Sequence, residues 1–127
     1  MKEIEIEIER MIHFLYRMNM YIVNINKENI VSFVHGVDIG KLDGPLWTKS
    51  LNDFITKKHG INGKALGWSY QIDLYIRKEK LKWSEGFKNL MIEMILESDQ
   101  IELTEKIVKQ YKYMLIKDID IEQKRNS

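Results

Sequence analysis

Three histidines are the side chains of this sequence best suited to acid–base chemistry near neutral pH, because the unperturbed imidazole titrates in that range. They are His13, His35 and His59. No two of them stand at the i, i+4 spacing that places two ligands on one helix face, and no His-Glu-x-x-His run occurs. We therefore expect structural roles for His13 and His59, and retain only His35, beside Gly36, as a candidate for direct function.

The other residue types that carry chemistry are missing or lack the required spacing. The absence of cysteine excludes disulfides, thiolate zinc sites and a cysteine nucleophile. The seven glycines form neither a G-x-G-x-x-G run nor a Walker A loop, and no serine lies in a G-x-S-x-G elbow. The sequence thus predicts no catalytic residue, no metal site and no cofactor, and favours a protein that is not an enzyme.

The overall composition is that of a folded chain. Of 127 residues, 44% are hydrophobic and 31% are charged, a balance that argues against disorder and suits one compact domain. The first ten residues alternate Glu with Ile and lack the apolar core of a signal peptide. No apolar run approaches the roughly 20 residues needed to cross a bilayer. We expect a cytoplasmic protein that does not contact membranes.

Helical apolar stripes predict an all-α domain of about six amphipathic helices over residues 1–117, followed by a polar tail over 118–127. The first stripe comprises Ile4, Ile8, Met11, Ile12 and Leu15. The Ile–Glu alternation also permits a strand in the same place. An α+β fold with strands at Ile4–Ile8 and Ile116–Ile121 is therefore the alternative.

Capping residues and glycines delimit the remaining predicted helices. Asn26 is a suitable N-cap for the second helix, which should end near Gly40. The third is predicted to open at Asp43-Gly44-Pro45 and to end before Gly60. The fourth carries Trp68 and Ile72, the fifth is predicted to be capped by Ser84, and the sixth carries Leu103, Ile107, Tyr111 and Leu115. The spacing of the methionines Met18, Met20, Met91 and Met94 predicts core positions.

Charge is segregated along the chain although the formal net charge is only +1. Residues 41–88 have a net charge of +5 and residues 89–105 a net charge of −5. The five acidic side chains of the second range, called here the acidic segment, are Glu93, Glu97, Asp99, Glu102 and Glu105. A concentrated negative patch can steer association with a basic partner. The alternative is that the acidic and basic faces of adjacent helices are solvated and pair only loosely with each other.

Several short motifs resemble a family of small bacterial proteins. They are RMNMYI at residues 17–22, FVHG at 33–36, Phe54-Ile55, Gly67-Trp68 and the run 87–90. The family opens with Arg-Pro-x-Met-Tyr-Ile/Leu-Gly and continues with a Phe-Ile-x-Gly-Tyr helix and a later Gly-Trp. Over about residues 10–95 the chain resembles an immunity protein of a contact-dependent growth inhibition system. It has Met18, Val23 and Val37 where the family has Pro, Gly and Tyr.

The resemblance implies a protein that binds one cognate toxin domain, often a nuclease, and occludes its active site or another required surface. Nuclease surfaces that meet phosphate are commonly basic. On that basis the acidic segment is the first predicted contact surface, and Asp38 and Asp43, expected on the loop after the second helix, form the second.

The alternative function is a nucleic-acid-binding or regulatory helical module that uses the basic 41–88 region. Its predicted phosphate contacts are Lys57, Lys58, Lys64, Arg77, Lys78, Lys80 and Lys82. The near-neutral total charge and the lack of an identifiable recognition helix argue against it. A small enzyme is the third candidate.

Overall fold

The computed structural model of the chain describes residues 3–41, 45–97 and Lys109. Five α-helices lie in these ranges, and no strand does. They are α1 (Glu3–Tyr16), α2 (Lys27–Ile39), α3 (Trp47–His59), α4 (Trp68–Glu79) and α5 (Trp83–Leu96), with 3₁₀ turns at Met18–Met20 and Lys64–Leu66. The all-α prediction is confirmed, and the strand alternative at Ile4–Ile8 is wrong.

α5 is the central helix of the bundle, because it contacts each of the other four. Its side chains are apolar on most of its circumference, as a helix surrounded by others requires. Phe87, Leu90, Met91 and Ile92 are fully buried. The one buried amide on this helix, Asn89, donates from Nδ2 to the hydroxyl of Tyr75 on α4 at 2.7 Å. The amide therefore has a partner within the core.

The first stripe folds as predicted where its side chains are described. Ile8, Met11, Ile12 and Leu15 are all buried, and Phe14 joins them. The helical pattern prevails over the strand pattern because it places these residues on one side of α1, which contacts α5, and buries them in the core.

The predicted helix ends are partly right. Asn26 caps α2 by accepting a hydrogen bond from the Asn29 N–H at 2.9 Å. Gly60 ends α3 with a φ of 66°, a left-handed conformation that favours glycine. Two predicted starts are wrong: α3 begins at Trp47 rather than at Pro45, and Ser84 lies inside α5, which follows Lys82. The Lys82 N–H instead donates to Glu85 Oε1 at 3.1 Å.

Part of the sequence interpretation lies outside the described residues. This applies to the sixth helix with Leu103, Ile107, Tyr111 and Leu115, to the strand alternative at Ile116–Ile121, and to the tail over 118–127. Among the described helices, none is both long and apolar enough to cross a membrane.

Candidate protein-binding surfaces

The two described carboxylates of the acidic segment are held by the C-terminal turn of α3. The Nε2–H of His59 donates to Glu93 Oε1 at 2.9 Å, since a carboxylate can only accept. Lys58 Nζ donates to Glu97 Oε1 at 2.8 Å. The side chain of Glu93 is only 22% exposed and that of Glu97 is 42% exposed. Side chains of α3 thus already occupy one oxygen of each of these two acids.

The pairing also affects the base. The hydrogen bond from Lys58 to Glu97, together with the negative charge of Glu97, raises the pKa of Lys58 above its ordinary value of 10.5. Lys58 therefore stays protonated throughout the neutral range, and the Lys58–Glu97 pair persists there as an ion pair.

Asp38 belongs to the fold and not to an exposed loop. It lies in the last turn of α2 and is only 7% exposed. Its Oδ1 accepts from the Trp47 N–H at 2.7 Å, and its Oδ2 accepts from the Thr48 N–H at 3.2 Å and from the Thr48 hydroxyl at 2.7 Å. Asp38 therefore caps α3 from the neighbouring helix, which corrects its placement on a loop after α2. The other predicted contacts, Asp43, Asp99, Glu102 and Glu105, lie outside the described residues.

The histidines do not converge on a site. His13 Nδ1 lies 2.9 Å from the Tyr21 hydroxyl, and His35 is exposed, with its ring 6.0 Å from that of Trp68. No group of three or more potential metal ligands occurs in the part of the chain that the structure describes. The predicted phosphate contacts are all exposed, but they are spread over the ends of α3 and α4 and the loops that follow them.

The connection between α1 and α2 carries an exposed apolar run that the sequence interpretation missed. Met20 is 65% exposed and Val23 is 97% exposed, and Tyr21 and Ile25 are also exposed. Met18 and Ile22 in the same stretch are buried, so the core prediction holds for Met18 and is wrong for Met20. The 3₁₀ turn at Met18–Met20 produces this split, because it turns the chain between the two methionines.

Tyr21 of this run belongs to an aromatic cluster between α1 and α2. The rings of Phe14 and Phe33 stack with centroids 4.1 Å apart. The ring of Tyr21 meets both edge-on, at 5.6 Å from Phe14 and 5.5 Å from Phe33. With its hydroxyl bonded to His13 as well, Tyr21 is held in one orientation although it is exposed.

Two grooves flank α1, separated by an ion pair between Lys41 and Glu7 that borders both. The α1–α2 groove has a volume of about 390 Å³ and is lined by Phe14, Tyr21, Phe33, Gly36, Val37 and Arg10, among others. The α3–α5 groove has a volume of about 640 Å³, with Trp47, Phe54 and Met94 in its walls and Glu97 at its rim. Lys41, which precedes the undescribed residues 42–44, lines both grooves, and Glu97, which precedes the undescribed residues 98–108, lines the α3–α5 groove.

Comparisons with known proteins do not place the chain in a family. Neither the models of protein families, nor the curated proteins, nor the solved structures include a match to it.

Proposed function

We propose that this protein is an immunity protein, which binds a cognate toxin domain and neutralises it by covering its active site or another required surface. The proposed toxin is a nuclease domain. The motifs at residues 17–22 and 33–36 suggest this function, and the observation that supports a binding role most directly is the exposed apolar run Met20, Tyr21, Val23 and Ile25.

The side chains of Met20 and Val23 in this run lie mostly in solvent and contribute little to the core of the bundle. Contiguous apolar surface on a soluble protein commonly marks a place where another protein binds. Tyrosine and methionine are enriched in such interfaces, with tyrosine frequent among the residues that dominate binding energy. Since the ring of Tyr21 is already fixed by Phe14, Phe33 and His13, less side-chain freedom is lost when a partner covers it.

The acidic segment is the second contact surface in this proposal. Its sign suits a basic nuclease surface, and steered association would favour rapid neutralisation of an incoming toxin. Glu93 and Glu97 would have to exchange His59 and Lys58 for basic residues of the toxin, so their net contribution to affinity is reduced by the bonds they give up.

Co-expression tests the function. The toxin partner would be the C-terminal domain of a large exported protein encoded immediately upstream of this chain. We expect growth to be rescued when that domain is induced together with this protein, and to be arrested when it is induced alone. A catalytically inactive toxin serves as the control for expression load. If growth stops equally with and without this protein, the proposed function is wrong.

A further inference from the structure

The wall of the α1–α2 groove contains a glycine, Gly36, that neither helix formation nor packing within the chain requires. Gly36 lies inside α2, where glycine is unfavourable relative to alanine. A Cβ built on Gly36 would meet no other atom within 4 Å, so packing within the chain does not require glycine there.

Two other glycines show what a packing requirement looks like in this fold. A Cβ on Gly86 would lie 2.3 Å from Ile76 Cγ2, and one on Gly63 would lie 2.5 Å from the carbonyl oxygen of Gly67. Those two glycines allow close approach of neighbouring elements of the same chain. Gly36, by contrast, leaves space in the wall of a groove that already presents the rings of Tyr21 and Phe33.

The charges at this groove are predominantly positive. Arg10 lines it, and Arg17 contacts the exposed run, with its Nη1 4.0 Å from the sulfur of Met20, the residue before the groove-lining Tyr21. Within the described ranges, neither arginine takes part in an ion pair, whereas the acid that lines the groove, Glu7, is bonded to Lys41. A partner surface that complements this groove would therefore be apolar and flanked by carboxylates.

We infer that the α1–α2 groove receives an apolar side chain of the toxin domain, flanked there by carboxylates that pair with Arg10 and Arg17. This inference rests on the proposed function and names the surface by which it is exercised. The groove volume of about 390 Å³ lies near the lower end of the range of roughly 300–1,000 Å³ found for ligand pockets, enough for a side-chain anchor. The toxin surface that meets this groove would be negatively charged, whereas a phosphate-binding face is positively charged. The groove and the acidic segment would therefore contact different parts of the toxin.

A leucine at position 36 tests the groove directly. The affinity of the full-length chain for the purified, catalytically inactive upstream toxin domain is measured by isothermal titration calorimetry. Gly36→Leu should weaken binding about tenfold or more, the size expected for a contact at the centre of an interface. Ser32→Leu, one turn earlier on an exposed position outside the groove lining, is the matched control and should leave affinity unchanged.

A second pair of variants tests the apolar run without altering α2. Met20→Asp should weaken binding, whereas Leu66→Asp should not, although Met20 and Leu66 are 65% and 67% exposed. Circular dichroism melting of all four variants checks that each is folded. This pair keeps the inference testable if Gly36→Leu fails to fold.

The results distinguish failure of the groove inference from failure of the proposed function. If wild type binds the toxin and neither Gly36→Leu nor Met20→Asp weakens binding, the groove inference is wrong and the proposed function stands. If wild type neither binds nor rescues, both are wrong. Sedimentation velocity identifies a different occupant: a wild-type dimer that Gly36→Leu converts to a monomer would show that a second copy fills the groove, which overturns toxin docking there.

Discussion

The surface formed by α1 and α2 and the surface formed by α3 and α5 differ in how far the fold uses their polar and apolar groups. On the α3–α5 side, the two described acids of the acidic segment are bonded to side chains of another helix, Glu97 to Lys58 and Glu93 to His59. On the α1–α2 side, Met20 and Val23 are left exposed beside two arginines that form no ion pair among the described residues.

The difference shows that a cluster of acids in the sequence does not by itself indicate that those acids are unpaired in the structure. Folding can place complementary charges beside the cluster, and surface pairs of that kind contribute little to stability or recognition. An exposed apolar side chain cannot be neutralised in the same way. It is either buried within the chain or left in contact with water, and here the run after Met18 is left exposed.

The largest effect is expected from Asp38, the one predicted contact acid that is buried among those the structure describes. Asp38→Ala removes three hydrogen bonds from the N-terminus of α3 and deprives the buried Trp47 N–H and the two part-buried Thr48 donors of their acceptor. We expect the free energy of unfolding to fall by about 2–4 kcal/mol. Glu97→Ala, which removes a surface pair, should lower it far less. Urea denaturation measures both, and equal losses would contradict the distinction between a structural and a surface acid.

Charge reversal compares the two surfaces as binding sites. Arg10→Glu with Arg17→Glu should weaken toxin binding about tenfold, because like charges would then face the partner carboxylates. Glu93→Lys with Glu97→Lys should weaken binding less, by about threefold, since the wild-type acids must give up His59 and Lys58 to bind the toxin. Calorimetric titration at two salt concentrations provides the measurement. The opposite ranking would make the acidic segment the principal contact.

The effect of Gly36→Ala on stability tests whether the α1–α2 groove is open at that position. The methyl group meets no neighbouring atom, and alanine is the better helix former, so the free energy of unfolding should rise by about 0.5–1 kcal/mol. Thermal and urea unfolding of Gly36→Ala beside wild type give the result. A loss of stability instead would mean that the groove wall is packed within the chain, and the case for an open groove would fail.

The smallest effect concerns the Lys58–Glu97 pair at high pH. Because folding raises the pKa of Lys58, the pair stabilises the protein fully below the unfolded-state pKa, and this contribution is lost as pH rises through the folded-state value. The difference in Tm between wild type and Glu97→Gln should therefore narrow between about pH 9 and about pH 12. Lys49→Met, at an exposed pair within α3, controls for general lysine titration. A difference that does not change with pH would show that the pair has no effect on stability.

Local sequence signals predicted much of the fold. The stripe of α1, the Asn26 cap and the left-handed Gly60 are all present, because each depends on residues within one or two helical turns. The wrong helix start at Pro45 has a nonlocal cause: the cap of α3 comes from Asp38, nine positions before Trp47 and on another helix. Met20 was wrongly assigned to the core because helical spacing was extended across a 3₁₀ turn.

The candidate site was far less predictable. Sequence spacing marked Gly36 only as a weak point in a helix, and it marked Tyr21 only as part of a motif. Their shared groove exists because the fold brings Phe33 of α2 onto Phe14 of α1.

The sequence by itself determined that this chain forms amphipathic helices, lacks cysteine chemistry and separates its positive and negative charges along its length. These properties follow from residue type and from periodicities of three or four positions. Only the tertiary structure decided which charges are paired, which acid is buried as a cap and which apolar residues stay in contact with water. Those outcomes depend on distances between residues far apart in the chain, as between Lys58 and Glu97, and helix packing sets these distances.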